Sequence, residues 1–181
     1  MAITGLGIDY GVSAFYTPKA SRGIGKQVES FAETTGIHLH MNDQTTGDKA
    51  VTSIGFPDGS SASVFASENG SEYSVKYWDA NGSEEEYEFN AEKISPSNAN
   101  YLEMLAYTSH LDITGQTNNA FGDFIAVARG VNGDRTYNSG NVLATFDFKR
   151  MTEEFMQAQY GYGNMTGYMS VKSLYDHMST I

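Results

Sequence analysis

The sequence predicts an α+β protein: an antiparallel β-meander of about five strands over residues 36–90, with C-terminal helices packed on its apolar face. Two observations carry this prediction. Turn residues recur at hairpin spacing between Ile54 and Phe89, and the registers they impose gather the apolar side chains on one face. Helical periodicity appears only after that run.

Residues 1–21 are rich in Gly, Ser and Thr without a sustained period, which predicts a flexible N-terminal arm, and residues 22–181 read as one domain. Ile24, Val28, Phe31 and Ala32 recur at helical spacing and Gly36 stops the run, so a short helix is expected over 22–35. The segment GIHLHM then alternates, with Ile37, Leu39 and Met41 on one side and His38 and His40 on the other. In FPDGS, Pro57 and Gly59 suit a type I turn followed by a left-handed glycine, which pairs Ile54 with Ala62 and Thr52 with Val64. Asn69-Gly70 reads as a type I′ turn that pairs Ala66 with Tyr73 and Val64 with Val75. A loop ending at Gly82 sets Val75 against Tyr87 and Lys76 against Glu86, a favourable cross-strand pair. A slip of one residue there would turn every apolar side chain to the wrong face.

Ser95-Pro96 suits the start of a helix over 96–110, with Leu102, Leu105 and Ala106 facing in. Phe121, Phe124, Ile125 and Ala128 phase a second helix over 119–129, with Gly130 as its stop. Phe148, Met151, Phe155 and Ala158 phase a third over 146–160, ended by Gly161 and Gly163. A fourth is expected over 171–179, capped by Ser170 and stapled by Met169 and Leu174.

With 181 residues, the chain suits one domain with a real core, supplied by 10 Phe, 12 Tyr and 8 Met. The formal net charge of -11 argues against nucleic acid and anionic lipid as partners, since both repel an acidic surface. The absence of Cys excludes disulfides, thiolate metal sites and a Cys nucleophile. No apolar run of membrane-spanning length and no cleavable signal peptide are visible, so the expected location is the cytoplasm, or outside it by a route without such a signal.

His38 and His40 form an H-x-H pair on one strand face, about 6–7 Å apart by strand rise, and such a pair can supply two ligands to zinc or iron. Asp43 is the nearest carboxylate that could follow them. A complete ligand set is missing, so no metal and no cofactor are expected, and solvent-facing histidines near a sheet edge account for the pair. Asp79, Asn81 and Ser83 imitate the start of an EF-hand loop, but Glu84 replaces its essential glycine and Asn90 its bidentate Glu. A hairpin turn explains the same residues. Glu84, Glu86 and Glu88 line one face of the last strand and read as a solvated edge that resists edge-to-edge pairing. His110 and His177 sit at helix ends, where the dipole favours them. No nucleophile elbow or phosphate loop is present. Val51, Phe65 and Trp78 fall on the outer face of the sheet, where the arm or a helix covers them or a protein partner docks.

The stretches GIHLHMNDQTTGDKAVTSIGFPDGSSASVFASENGSEYSVKYWDANG, SPSNANYLEMLAYTSHL and MQAQYGYGNMTGYMSVKSLYDHM resemble a family of small uncharacterised proteins from Gram-positive anaerobic bacteria. Its members carry a short arm with a Tyr-Thr-Pro element, here Tyr16-Thr17-Pro18, then the sheet and the helices. That resemblance implies the order of elements and no activity. The acidic, Cys-free character is also similar to that of small exported or flagellum-associated proteins. A weaker resemblance is to secreted haem-capture proteins, which place a His ligand in a loop after an early helix; here His38 and His40 lie on an expected strand instead. The expected function is that of a non-enzymatic bacterial accessory protein acting through an unknown protein partner. The alternative is a metal- or haem-binding module using His38 and His40.

Overall fold

The structure, a computed structural model, describes residues 38–132 and 141–180. The expected arm over 1–21 and helix over 22–35 lie outside the described residues. Strands β1 (Thr52–Gly55), β2 (Ser61–Ala66), β3 (Glu72–Trp78) and β4 (Glu84–Asn90) form an antiparallel meander in the order β1-β2-β3-β4.

The turns set the registers as local chemistry requires. Phe56 N–H donates to the Ser60 carbonyl (2.8 Å), and Gly59 takes φ 90° between them. Ile54 therefore faces Ala62 and Thr52 faces Val64. Asp79 N–H donates to the Ser83 carbonyl (3.0 Å) with Gly82 at φ 83°, which pairs Val75 with Tyr87 and Lys76 with Glu86. The middle hairpin has the expected register, Ala66 with Tyr73 and Val64 with Val75, but not the expected turn. Asn69 keeps a negative φ and only Gly70 is left-handed, so the loop is not type I′. Ser67 N–H instead reaches the Glu72 carbonyl across a four-residue loop (3.0 Å), which has the same parity as a two-residue one.

The meander has four strands among the described residues, not about five. Residues 38–41 do not extend the sheet. Ala50 N–H donates to the Met41 carbonyl (3.0 Å) and Asp43 N–H to the Asp48 carbonyl (2.8 Å), so this segment folds back on itself. The Ser63 hydroxyl donates to the His40 carbonyl (2.7 Å). Ser63 lies on the sheet's outer face, so the segment crosses that face rather than pairing with an edge.

Among the described residues, four α-helices follow: α1 (Tyr101–Ile113), α2 (Ala120–Asn132), α3 (Phe148–Gly161) and α4 (Met165–Met178). Helix α1 packs against β2, β3 and β4 on one side and against α2 on the other, with α3 and α4 closing the bundle. It lies between the sheet and the other helices. From Tyr101 to Leu111 every residue but Glu103 is buried, as expected for a helix covered on all sides. Leu102, Leu105 and Ala106 do face in, but so does the opposite side.

The helix boundaries differ from expectation for local reasons. Helix α1 begins at Tyr101, not at Pro96, because Asn100 and Glu103 form a capping box: Asn100 Oδ1 accepts from Glu103 N–H (2.8 Å) and Glu103 Oε2 from Asn100 N–H (2.6 Å). Asn100→Ala should therefore cost about 1 kcal/mol in urea unfolding; an unchanged midpoint would remove the box from the stability of the fold. Gly130 does not end α2. A Cβ there would run into the Phe155 ring of α3, so glycine permits the close approach of two helices. Ala158 is exposed despite its phase in α3. Helix α4 starts six residues before its expected first residue: Asn164 Oδ1 caps Gly167 N–H (3.1 Å), and Ser170 lies inside the helix. Met169 is exposed and staples nothing.

Candidate functional site

The inner face of the sheet is spent on the core, where Ala62, Val64, Tyr73, Val75 and Tyr77 meet α1. Functional chemistry is left with the outer face, the helix ends and the α3–α4 corner.

On the outer face, Trp78 and Phe65 point away from the core, as the registers require, and both are buried, at 8% and 5% exposure. The cover over Trp78 is the 38–50 segment. The His40 ring stacks on the indole with centroids 3.8 Å apart and planes 11° from parallel. Beside them Lys76 is buried and ringed by carboxylates: Asp43 at 2.9 Å, Glu84 at 3.3 Å and Glu86 at 3.9 Å. Trp78 Nε1–H donates to Glu84 (3.0 Å) and Ser74 to Glu86 (2.6 Å). The hydrogen bond from Lys76, together with the Thr45 and Thr46 amides, holds the Asp43 carboxyl down at about 2. The same bond raises Lys76. Burial lowers His40, against an opposing pull from Glu84.

These contacts define the weak metal candidates. Asp43 is committed to Lys76 and His40 to Trp78, while His38 is exposed. No group of three or more His, Cys, Asp or Glu is placed to hold a metal ion among the described residues. The expected partner surface is also divided. Phe65 and Trp78 are buried within the chain, and Val51 packs against the main core rather than beside them, its N–H donating to the Val64 carbonyl (2.8 Å). Phe65 and Trp78 thus offer a partner little open surface. Asp79 accepts from the Asn81 and Ser83 amides, both at 2.8 Å, and caps its own hairpin.

His110 is more than a residue at a helix end. It is buried, and its Nδ1 lies 3.1 Å from the Tyr73 hydroxyl. With Tyr107, Leu111, His177, Thr180, Ala91, Glu92 and Gln116 it lines an open depression of about 260 Å³. The Tyr107 hydroxyl is closed off from solvent and raised to about 12 by burial. The Tyr77 and Tyr101 hydroxyls are closed off in the same way, so this trait does not mark the depression as a site.

The α3–α4 corner is different. Tyr160 is 64% exposed, Tyr162 87%, Met165 49% and Met169 59%. The Tyr160 and Tyr168 rings meet at 5.7 Å, and Met165 and Met169 stand one turn apart on α4. Reading α4 as a helix beginning at 171 hid this surface. A signal was nonetheless present, since residues 155–175 contain no Asp or Glu and a single Lys in a chain that has 22 acidic residues.

The fold and this corner define an α+β meander-and-helix protein with an exposed aromatic and methionine surface. No family model, no curated protein and no solved structure matches the chain, so the comparisons place it in no family. Among the described residues, no helix is long and apolar enough to cross a membrane.

Proposed function

We propose that this protein is a non-enzymatic bacterial accessory protein that acts by protein–protein contact, with the α3–α4 corner as its contact surface. The observation that carries the reading is the exposure of Tyr160, Tyr162, Met165 and Met169 in one corner, built from a segment, 155–175, whose single formal charge is Lys172. Contact surfaces are enriched in Tyr and Met and depleted of charge at their centres, because buried charges lose their water. Methionine also adapts its shape to a partner at little cost. The outer face of the sheet, the earlier candidate for docking, supports the reading less well, because the chain itself covers Trp78.

A photo-crosslinking residue at position 162 tests this reading in the native cell. One discrete adduct is expected, and the same residue at Glu68, on a distant hairpin, should not form it. The crosslinked protein, reconstituted from purified components, should bind at least ~10-fold more weakly to a Tyr160→Ser/Tyr162→Ser variant, a loss of ~1.4 kcal/mol. Equal crosslinking from both positions, or unchanged affinity in the variant, removes the corner from the function.

A further inference from the structure

We infer that the occupant of the α3–α4 corner is a second copy of this chain, docked corner to corner about a two-fold axis. The inference rests on the reading of that corner as a contact surface and adds the identity of what binds there.

Charge carries the argument. The chain has a net charge of -11, so two copies repel one another over most orientations. The corner is the exception. Most of the charge at its borders is paired within its own helix, Arg150 Nε with Glu154 at 2.8 Å and Lys172 Nζ with Asp176 at 2.5 Å, while Glu153 accepts from Gln157. Between Phe155 and Tyr175 the only formal charge is that of Lys172. Two copies can therefore meet here while keeping their acidic surfaces apart. The outer face of β4, with Glu84, Glu86 and Glu88, would bring like charges together. A basic partner, by contrast, would be drawn to those acids and would have little to hold it at a neutral corner.

The side chains suit a self-complementary contact. A two-fold interface uses the same patch twice, so each residue near the axis meets its own copy or a neighbour of it. Tyr and Met tolerate such pairing, because tyrosine rings stack and thioethers pack against rings. Tyr162, followed by left-handed Gly163 in the tight turn between the helices, is the most exposed large hydrophobic side chain among the described residues.

Sedimentation equilibrium of the full chain across concentration, at low and at high salt, tests the inference. The mass should rise from one chain toward two, and added salt should tighten the association, because it screens the repulsion between acidic copies. Tyr162→Glu/Met169→Glu should weaken the association by at least ~10-fold, with circular dichroism and the melting temperature unchanged. Because the chain has no Cys, Met169→Cys creates a single thiol, and oxidation should give a covalent dimer. Asp48→Cys, on the opposite side of the sheet, should not. A wild-type chain that stays monomeric at high salt overturns self-docking, as does a double variant that associates as well as wild type. If the monomer instead loses a different crosslinked protein on Tyr160→Ser/Tyr162→Ser, self-docking fails while the contact surface stands. If neither association depends on the corner, both fail.

Discussion

Phe148→Ala should remove ~3–5 kcal/mol of stability, the usual cost of deleting a buried phenyl ring. Such a loss is a large share of the ~5–15 kcal/mol that holds a domain together. Phe148 is fully buried at the first position of α3. Its ring sits 5.2 Å from Phe124, 5.7 Å from Phe146 and 6.5 Å from Tyr101. It thus joins α1, α2 and the loop that leads into α3. That loop pairs with the chain before α1, where Phe146 N–H donates to the Ala99 carbonyl (2.9 Å). The cavity left by alanine would lie among three elements that cannot all close on it. Denaturant unfolding should show a lower midpoint with little change in slope, and Phe146→Ala, at a half-buried position, should cost less. A Phe148→Ala cost below ~1 kcal/mol would mean that the helices do not share this cluster.

Asp43→Asn should release the 38–50 segment from the sheet and expose Trp78, the only tryptophan of the chain. Asp43 makes the shortest ion pair to Lys76, and both side chains are 7% exposed. Removing one partner of such a pair leaves the other buried with its charge less well compensated. Glu84 and Glu86, which are further away and about half exposed, make up only part of the loss. The indole emission should shift to longer wavelength and become open to quencher. Emission that stays blue-shifted and protected in Asp43→Asn would show that His40 and the Ser63 bond hold the segment unaided.

The same optical signal fixes the direction of the pH response. The Asp43 carboxyl is held at about 2 in the folded chain, below its ordinary value near 3.8. Its contribution is therefore complete above about pH 4 and is lost as pH falls toward 2. His40 is also lowered, by burial. The covered state prefers the neutral ring, so this contribution is present above the ordinary histidine value of 6.5 and declines below it. Both groups make acid the releasing condition. Trp78 emission should be constant from neutrality up to the ordinary lysine range, where Lys76 begins to lose its charge, and should change below neutrality and again below pH ~4. A signal that is flat to pH ~3 would separate Trp78 from both groups.

The sheet was legible in the sequence because hairpin register is a local property. Gly59 and Gly82 each sit where a type I turn needs a left-handed residue, and each turn fixes the pairing of its two strands. The Asn69-Gly70 loop kept its register despite a different turn, because strand parity survives a loop longer by two. The apolar phase of α2, and that of α3 apart from Ala158, was readable for the same reason. Tertiary structure decided what local pattern leaves open. The start of α1 is not such a case: the Asn100–Glu103 capping box is a local motif, present in the sequence beside Ser95-Pro96. Gly130 has its meaning only from Phe155 of another helix. His38 and His40 alternate as a strand would, yet a fifth strand is absent among the described residues because Ser63, Trp78 and Lys76 offer residues 38–43 a face to cross. The contact corner depended on the same long-range level: no periodicity marks which residues stay uncovered once α3 and α4 have packed. Local chemistry sets turns and phases, and the competition between distant surfaces for burial decides which face is left for a partner.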